Sequence, residues 1–242
     1  MSAFPAPVKD LARHRNDRDE LTVRTRQNFD LEIRDQMTTL TAPGVPFPLT
    51  SSSGVAWTVD GPAGTIRVTG DPHSDIFIDP GAGSTLNAES MLNAATLLGV
   101  PPAGDFQLSA RVSVDFASTF DAGVLLLWID ERHWAKLCFE YSPAGEPMVV
   151  SVVNRAVADD ANAFVVNARS VWLRVSRIDD AFAYHASFDG TTWRMIRFFT
   201  IDDPSAVSIG FEAQSPTGDG CAVTFDDIRF THERLGDLRD GS

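Results

Sequence analysis

From Val55 onward, short runs rich in Val, Ile, Phe, Thr and Trp are separated by Gly, Pro, Asp and Asn, and within the runs apolar and polar residues alternate with a period of two. A half-buried β-strand imposes this pattern, because successive side chains point to opposite faces of a sheet. In 133–141, Ala135, Leu137, Phe139 and Tyr141 form one set, against Trp134, Lys136, Cys138 and Glu140. In 170–178 the apolar set is Val171, Leu173 and Val175, with Trp172, Arg174 and Ser176 opposite. In 181–188 it is Phe182, Tyr184, Ala186 and Phe188, against Ala183, His185 and Ser187. Each strand therefore has a core side and a decorated side.

The runs predict strands near 55–60, 64–69, 75–78, 106–116, 122–130, 133–141, 147–154, 163–167, 170–178, 181–188, 193–199, 206–214 and 221–230. Turn signals such as Asp60-Gly61-Pro62, Asp79-Pro80-Gly81 and Thr217-Gly218-Asp219-Gly220 fall between them. The segment 89–99 fits a short helix or a strand, and no long helical period follows residue 38. So many short strands predict an all-β sandwich or barrel.

One hairpin has a readable register. A two-residue turn at Asp179-Asp180 sets Ile178 against Ala181, which places Arg174 opposite His185 and Trp172 opposite Ser187. The turn after Phe188 fits two to four residues or a bulge, so the faces of Trp193 and Arg197 stay open.

Residues 1–38 read differently. They hold seven basic and seven acidic residues, few aromatics and no apolar stretch of signal-peptide length, and predict a charged arm. The following TAPGVPFPLTSSSG reads as a linker, so residues 1–45 are expected to be arm and linker and 46–242 the domain. The remainder holds 13 basic and 26 acidic residues, within a formal charge of -13. That surface repels phosphate backbones and anionic lipid, so the reading excludes nucleic acid and membrane as partners and fits a neutral or cationic ligand. Phe outnumbers Tyr 16 to 2, which predicts a dry interior, since Phe fills a core without needing a hydrogen-bond partner. Neither Cys138 nor Cys221 lies in a metal-binding pattern, and the reading calls for no metal or cofactor and for a cytoplasmic location.

The segments DAGVLLLWIDERHWAKLCFE, VVSVVNRAVADDAN, VWLRVSR, FAYHASFDGTTWRMIRFF and VSIGFEAQSPTGDG, with SDIFIDP before them and LGDLRDGS after, occur in an order that resembles the "regulation of enolase" family. That family is placed in the concanavalin A-like lectin/glucanase superfamily, and the resemblance covers roughly residues 46–242. It implies a concanavalin A-like jelly-roll sandwich of two antiparallel sheets, one of them concave, with the ligand, often a carbohydrate, held on the concave face and its rim. It supplies no catalytic residues.

The decorated set Trp134, Lys136, Glu140, Trp172, Arg174 and His185 is the candidate ligand face, because sugars need a flat aromatic platform beside fixed donors and acceptors. Its plain alternative is a solvated sheet face with pairs such as Lys136–Glu140. Asp75 and Asp79 before a Pro-Gly turn, and Asp159, Asp160 and Asn162 in an expected loop, are candidates for the rim; turn capping is the plain reading of each. The hairpin pattern Ser187-x-Asp189-Gly190-x-x-Trp193 reads as structural. For catalysis, no ExDxxE strand, GxSxG, HExxH or phosphate-cradling loop is present. Glu140 is left with Glu212 or Asp75 as carboxylate partners if the sheets bring them together. The function expected is glycan binding without catalysis, with a glycoside hydrolase or lyase, or a regulatory module contacting a protein partner, as alternatives.

Overall fold

The alternating runs pair into two large antiparallel sheets. The computed structural model describes residues 37–52, 54–81 and 90–242, so the expectation of an arm over 1–36 lies outside the described residues. In chain order the strands are β1 (Thr39–Leu40), β2 (Leu49–Ser51), β3 (Thr58–Asp60), β4 (Thr65–Gly70), β5 (Ile76–Phe77), β6 (Met91–Leu92), β7 (Ala95–Gly99), β8 (Phe106–Val114) and β9 (Ala122–Asp130). They continue as β10 (His133–Tyr141), β11 (Pro147–Arg155), β12 (Val157–Val165), β13 (Ser170–Ile178), β14 (Ala181–Ser187), β15 (Trp193–Phe199), β16 (Ser208–Gln214) and β17 (Cys221–Thr231). One sheet runs β1-β2-β7-β16-β9-β10-β11-β12, the other β15-β14-β13-β8-β17-β4-β3, and β5 pairs with β6. The result is an all-β jelly-roll sandwich.

The interior follows from strand parity. Ala135, Leu137 and Phe139 of β10 meet Val171, Leu173 and Val175 of β13 and Phe182 and Tyr184 of β14 in one buried apolar cluster. Phenylalanine carries much of it: Phe211 and Phe225 lie 4.9 Å apart, and Phe230 packs at 5.2 Å on Phe47 and 5.4 Å on Phe106. The cost of the alternative is visible at Tyr184, whose buried hydroxyl has no hydrogen-bond partner among the described residues. Gly123 marks the closest approach of the layers: a Cβ there would lie 2.6 Å from methyls of both Val112 and Val223.

The Asp179-Asp180 hairpin has the expected register, with Arg174 opposite His185 and Trp172 opposite Ser187. Two local expectations are corrected and one open alternative is resolved. The segment expected as linker carries β2 and buries Val45, Phe47 and Leu49, so apolar spacing outweighs its prolines and serines. The described part of 89–99, left between helix and strand by the sequence, carries β6 and β7. The expected loop holding Asp159, Asp160 and Asn162 is part of β12, an edge strand, where solvent on one side lets polar residues replace the apolar alternation.

A candidate ligand site over the eight-stranded sheet

The six residues expected to share one face are divided between the two outer faces of the sandwich. Trp134, Lys136 and Glu140 belong to β10 in the eight-stranded sheet, whereas Trp172 and Arg174 on β13 and His185 on β14 belong to the seven-stranded sheet. Alternation fixes which residues share a face within a strand, but not which strands share a sheet.

On the seven-stranded sheet, the segment after β17 covers the decorated side. Arg174 Nη2 donates to the Gly241 carbonyl and stacks over Trp193, 4.1 Å from the ring centre. His185 meets the Leu238 carbonyl at 2.9 Å through Nε2, which must carry the proton because a carbonyl only accepts. Burial, helped by Arg174, holds the imidazole below its usual range against the opposing pull of that carbonyl. Trp172 donates to Asp227 at 2.9 Å and lies under Arg111 at 5.3 Å. Its indole also packs against Gly190, whose left-handed φ of 73° turns the hairpin expected to be structural. Trp193, left open by the sequence, pairs with Ser187 on this face; Arg197 lies beyond a bulge, opposite Tyr184.

On the eight-stranded sheet, the outer face is roofed by residues 71–81 and 90–94, which carry β5 and β6. Beneath them a second apolar cluster holds Trp134, Cys138, Val124, Leu126, Val150 and Val152 against Ile76 and Ala94. Trp134 is therefore wholly buried and is no platform for a ligand. Beside this cluster opens a cavity of about 660 Å³. Asp75, Asp79, Lys136, Glu140, Asp160 and Gln214 supply its polar wall, and Phe77, Met91, Phe120 and Val152 its apolar wall. Of the rim candidates, Asp75, Asp79 and Asp160 line this cavity; Asp159 and Asn162 do not.

Lys136 organises the polar wall. Its side chain is 2% exposed and donates at 2.8 Å to both Asp75 Oδ1 and Gln214 Oε1, so its partner is Asp75 rather than Glu140. Desolvation opposes its charge more than any single neighbour supports it, but Asp75 and Glu212 together keep it protonated and raise its pKa. The acids respond in the opposite sense. Glu140, at the cavity wall, is pushed up to about 8 by burial against the pull of Lys136, with Asp160, Asp75 and Glu212 adding repulsion. Glu212 is likewise pushed up to about 8 by burial. Asp160 is raised by partial burial. Asp79 also caps its own turn, accepting the Gly81 amide at 2.7 Å.

Glu212 stands out from the others. It lies on β16 with Val124 of β9 between it and Cys138, it is wholly buried, and neither carboxylate oxygen has a hydrogen-bond partner among the described residues. It points to the same side as Gln214, two residues further along β16, which reaches the cavity. Strand spacing and rise put the Glu140 and Glu212 Cα atoms about 12 Å apart. Phe77, Met91, Phe120 and Gln214 were missed from sequence; only the parity of Gln214 with Glu212 in SIGFEAQ signalled one of them.

A sandwich of two antiparallel sheets with one covered face and one cavity-bearing face places the chain among jelly-roll proteins. It belongs to the family described as "Protein of unknown function (DUF1349)", whose model matches residues 56–233. The chain is 28% identical over 170 residues, 70% of its own length and 82% of the relative's, to "Regulation of enolase protein 1" of Saccharomyces cerevisiae. Among solved structures, it resembles a functionally unknown protein from Saccharomyces cerevisiae, with TM-score 0.64, 25% identity, and coverage of 83% of this chain and 98% of that one. It also shares its fold with GH43B of the Bacteroides ovatus xyloglucan PUL, with TM-score 0.59 and 12% identity over 76% of this chain and 36% of that one. No helix among the described residues is long and apolar enough to cross a membrane.

Proposed function

We propose that the protein is a ligand-binding sandwich whose site is the cavity over the eight-stranded sheet, and that its ligand is a small neutral or cationic polyhydroxylated molecule, a glycan unit being the class that fits. The observation that carries this reading is the division of the cavity wall. Phe77, Met91 and Phe120 offer apolar surface to the C–H face of a ring, while Asp75, Glu140, Asp160 and Gln214 offer acceptors for hydroxyls. A volume of about 660 Å³ lies within the roughly 300–1,000 Å³ of small-ligand sites. The acidic wall disfavours phosphorylated or carboxylated ligands, in keeping with the formal charge of -13. In this reading Arg174 and His185 belong to the docking of residues 235–242 and Trp172 to its hydrogen bond with Asp227, and none of the three takes part in binding.

Titration calorimetry against a panel of neutral oligosaccharides tests it. Phe77→Ala and Asp160→Asn are expected to remove binding, and Arg174→Ala to leave it unchanged. Binding that survives both cavity changes and is lost with Arg174→Ala would move the site to the other sheet.

A catalytic reading is favoured by one observation, the proton-holding carboxyl of Glu140 beside other acids. Glycoside hydrolysis needs two carboxyl groups about 5–10 Å apart on either side of the bond. Glu212, buried behind the wall, would have to be reached by substrate for this pair to act. Turnover of a chromogenic glycoside that disappears in Glu140→Gln decides for catalysis; its absence leaves the binding reading. A regulatory role through residues 1–38 falls almost wholly outside the described residues.

A further inference from the structure

Charge is unevenly answered in the cavity. Among the described residues, four carboxylic acids line it, Asp75, Asp79, Glu140 and Asp160, against one cation, Lys136. That cation is already engaged by Asp75 and Gln214. Among the described residues, neither Glu140 nor Asp160 forms an ion pair. Behind them Glu212 is wholly buried with both oxygens unpartnered, on the same side of the sheet. At the cavity wall, Glu140 and Asp160 offer carboxyl oxygens that a donor-rich cation can engage.

We propose that the cavity is selective for a ligand carrying a protonated amine beside its hydroxyls, an amino-sugar unit, with Glu140 and Asp160 accepting from the ammonium. The inference rests on the reading of the cavity as the ligand site and narrows it to a chemical class. An ammonium has three donors and no acceptor, so it can serve two carboxylates that a neutral hydroxyl would serve less well. The apolar wall of Phe77 and Met91 takes the ring face in either case.

The groups facing this point are Asp75, Asp79 and Lys136 at the wall, Glu212 and Cys138 on the sheet below, and Arg197 near Asp160. Glu140 holds its proton at neutral pH because burial has raised it to about 8. When an ammonium docks, the carboxyl gives that proton to buffer and becomes a carboxylate; no other bond changes. Binding therefore releases a proton where the amine is already protonated, and strengthens as pH rises from 6 only until the amine of the ligand itself begins to deprotonate.

The test is calorimetry on the full chain at physiological salt, with a glucosamine oligomer, its N-acetylated counterpart, a glucose oligomer of equal length, and an oligolysine of equal charge. The glucosamine oligomer is expected to bind about tenfold or more tighter than the other three, since charge-assisted hydrogen bonds contribute about 1.5–3 kcal/mol. Its heat is expected to vary with the ionisation enthalpy of the buffer. In Glu140→Gln the preference and the proton release are expected to vanish while the melting temperature at pH 7 holds.

If the glucose oligomer binds equally well without proton release, the amine inference fails and the cavity reading stands. If oligolysine matches the glucosamine oligomer, the attraction is general and the inference fails. If no sugar binds and Phe77→Ala changes nothing, the underlying cavity reading fails as well.

Discussion

The two outer faces of the sandwich are written in the same residue vocabulary and end in different states. Each alternates apolar core residues with tryptophan, a cation and a further polar residue: Trp134, Lys136 and Glu140 on one, Trp172, Arg174 and His185 on the other. On the seven-stranded sheet, main-chain carbonyls of the covering segment meet the cation and the imidazole, and the Trp193 ring stacks on the cation. On the eight-stranded sheet the described part of the cover leaves a cavity, one engaged lysine and two acids, Glu140 and Glu212, whose carboxyls burial pushes up to about 8. The difference teaches that a decorated strand face becomes a docking surface or a site according to what lies over it.

The strongest way to break this contrast is at Lys136. Lys136→Met leaves Asp75 without its cation, and breaking a buried pair by removing one partner costs about 3 kcal/mol or more. Urea denaturation at pH 7 is expected to show this loss. A loss below about 1 kcal/mol would mean that the polar wall is not organised by charge.

Glu212 sharpens the contrast in the opposite direction. Its carboxyl keeps in the folded state a proton that the unfolded chain gives up near its ordinary value of 4.5. The native state therefore binds more protons than the unfolded one, and stability falls as pH rises through the window from about 4.5 to about 8. Glu212→Gln removes the titration and keeps the shape. The slope of stability against pH in that window is expected to flatten by up to about 1.4 kcal/mol per pH unit, leaving the variant the more stable of the two at pH 8. Equal slopes for the two proteins would show that Glu212 finds a partner in solution.

How much of this was legible in the sequence follows the same division. Period-two alternation reports which residues share a face, so the β10, β13 and β14 patterns and the 178–181 hairpin register were readable. It carries no information on which strands share a sheet, so two faces were merged into one. The cover was unreadable for a related reason: Asp75 reaches Lys136 across 61 residues, and Gly241 reaches Arg174 across 67. β12 misled because its edge position removes the buried side that makes a strand legible. The cavity acids Asp75, Asp79, Glu140 and Asp160 were visible as residues, but which of them meets Lys136 was not, since pairing is decided only once the roof is placed.

On the covered face the expected effects are smaller. Gly241 has φ 75°, and a Cβ there would lie 2.5 Å from Arg174 Nη2 and 2.7 Å from Trp193 Cβ. Gly241→Ala is therefore expected to lift the segment at a cost of about 1 kcal/mol. Hydrogen exchange should quicken at 236–241, and the His185 titration followed by NMR should move up toward its ordinary 6.5 as burial is relieved. An unmoved His185 would show that the sheet, not the covering segment, sets its environment.

The smallest effect is expected at Asp227, which accepts from Trp172 and sits at a φ of 46° beside the β17 bulge. Asn keeps an acceptor for the indole and tolerates left-handed backbone, while giving up the largely exposed pair with Arg229. Asp227→Asn should therefore cost less than about 0.5 kcal/mol, and Asp227→Ala about 1 kcal/mol more through the lost hydrogen bond. Thermal melts of the two variants separate the cases. If the Asn variant loses as much as Lys136→Met, then charge organises the covered face as it does the cavity, and the contrast between the two faces collapses.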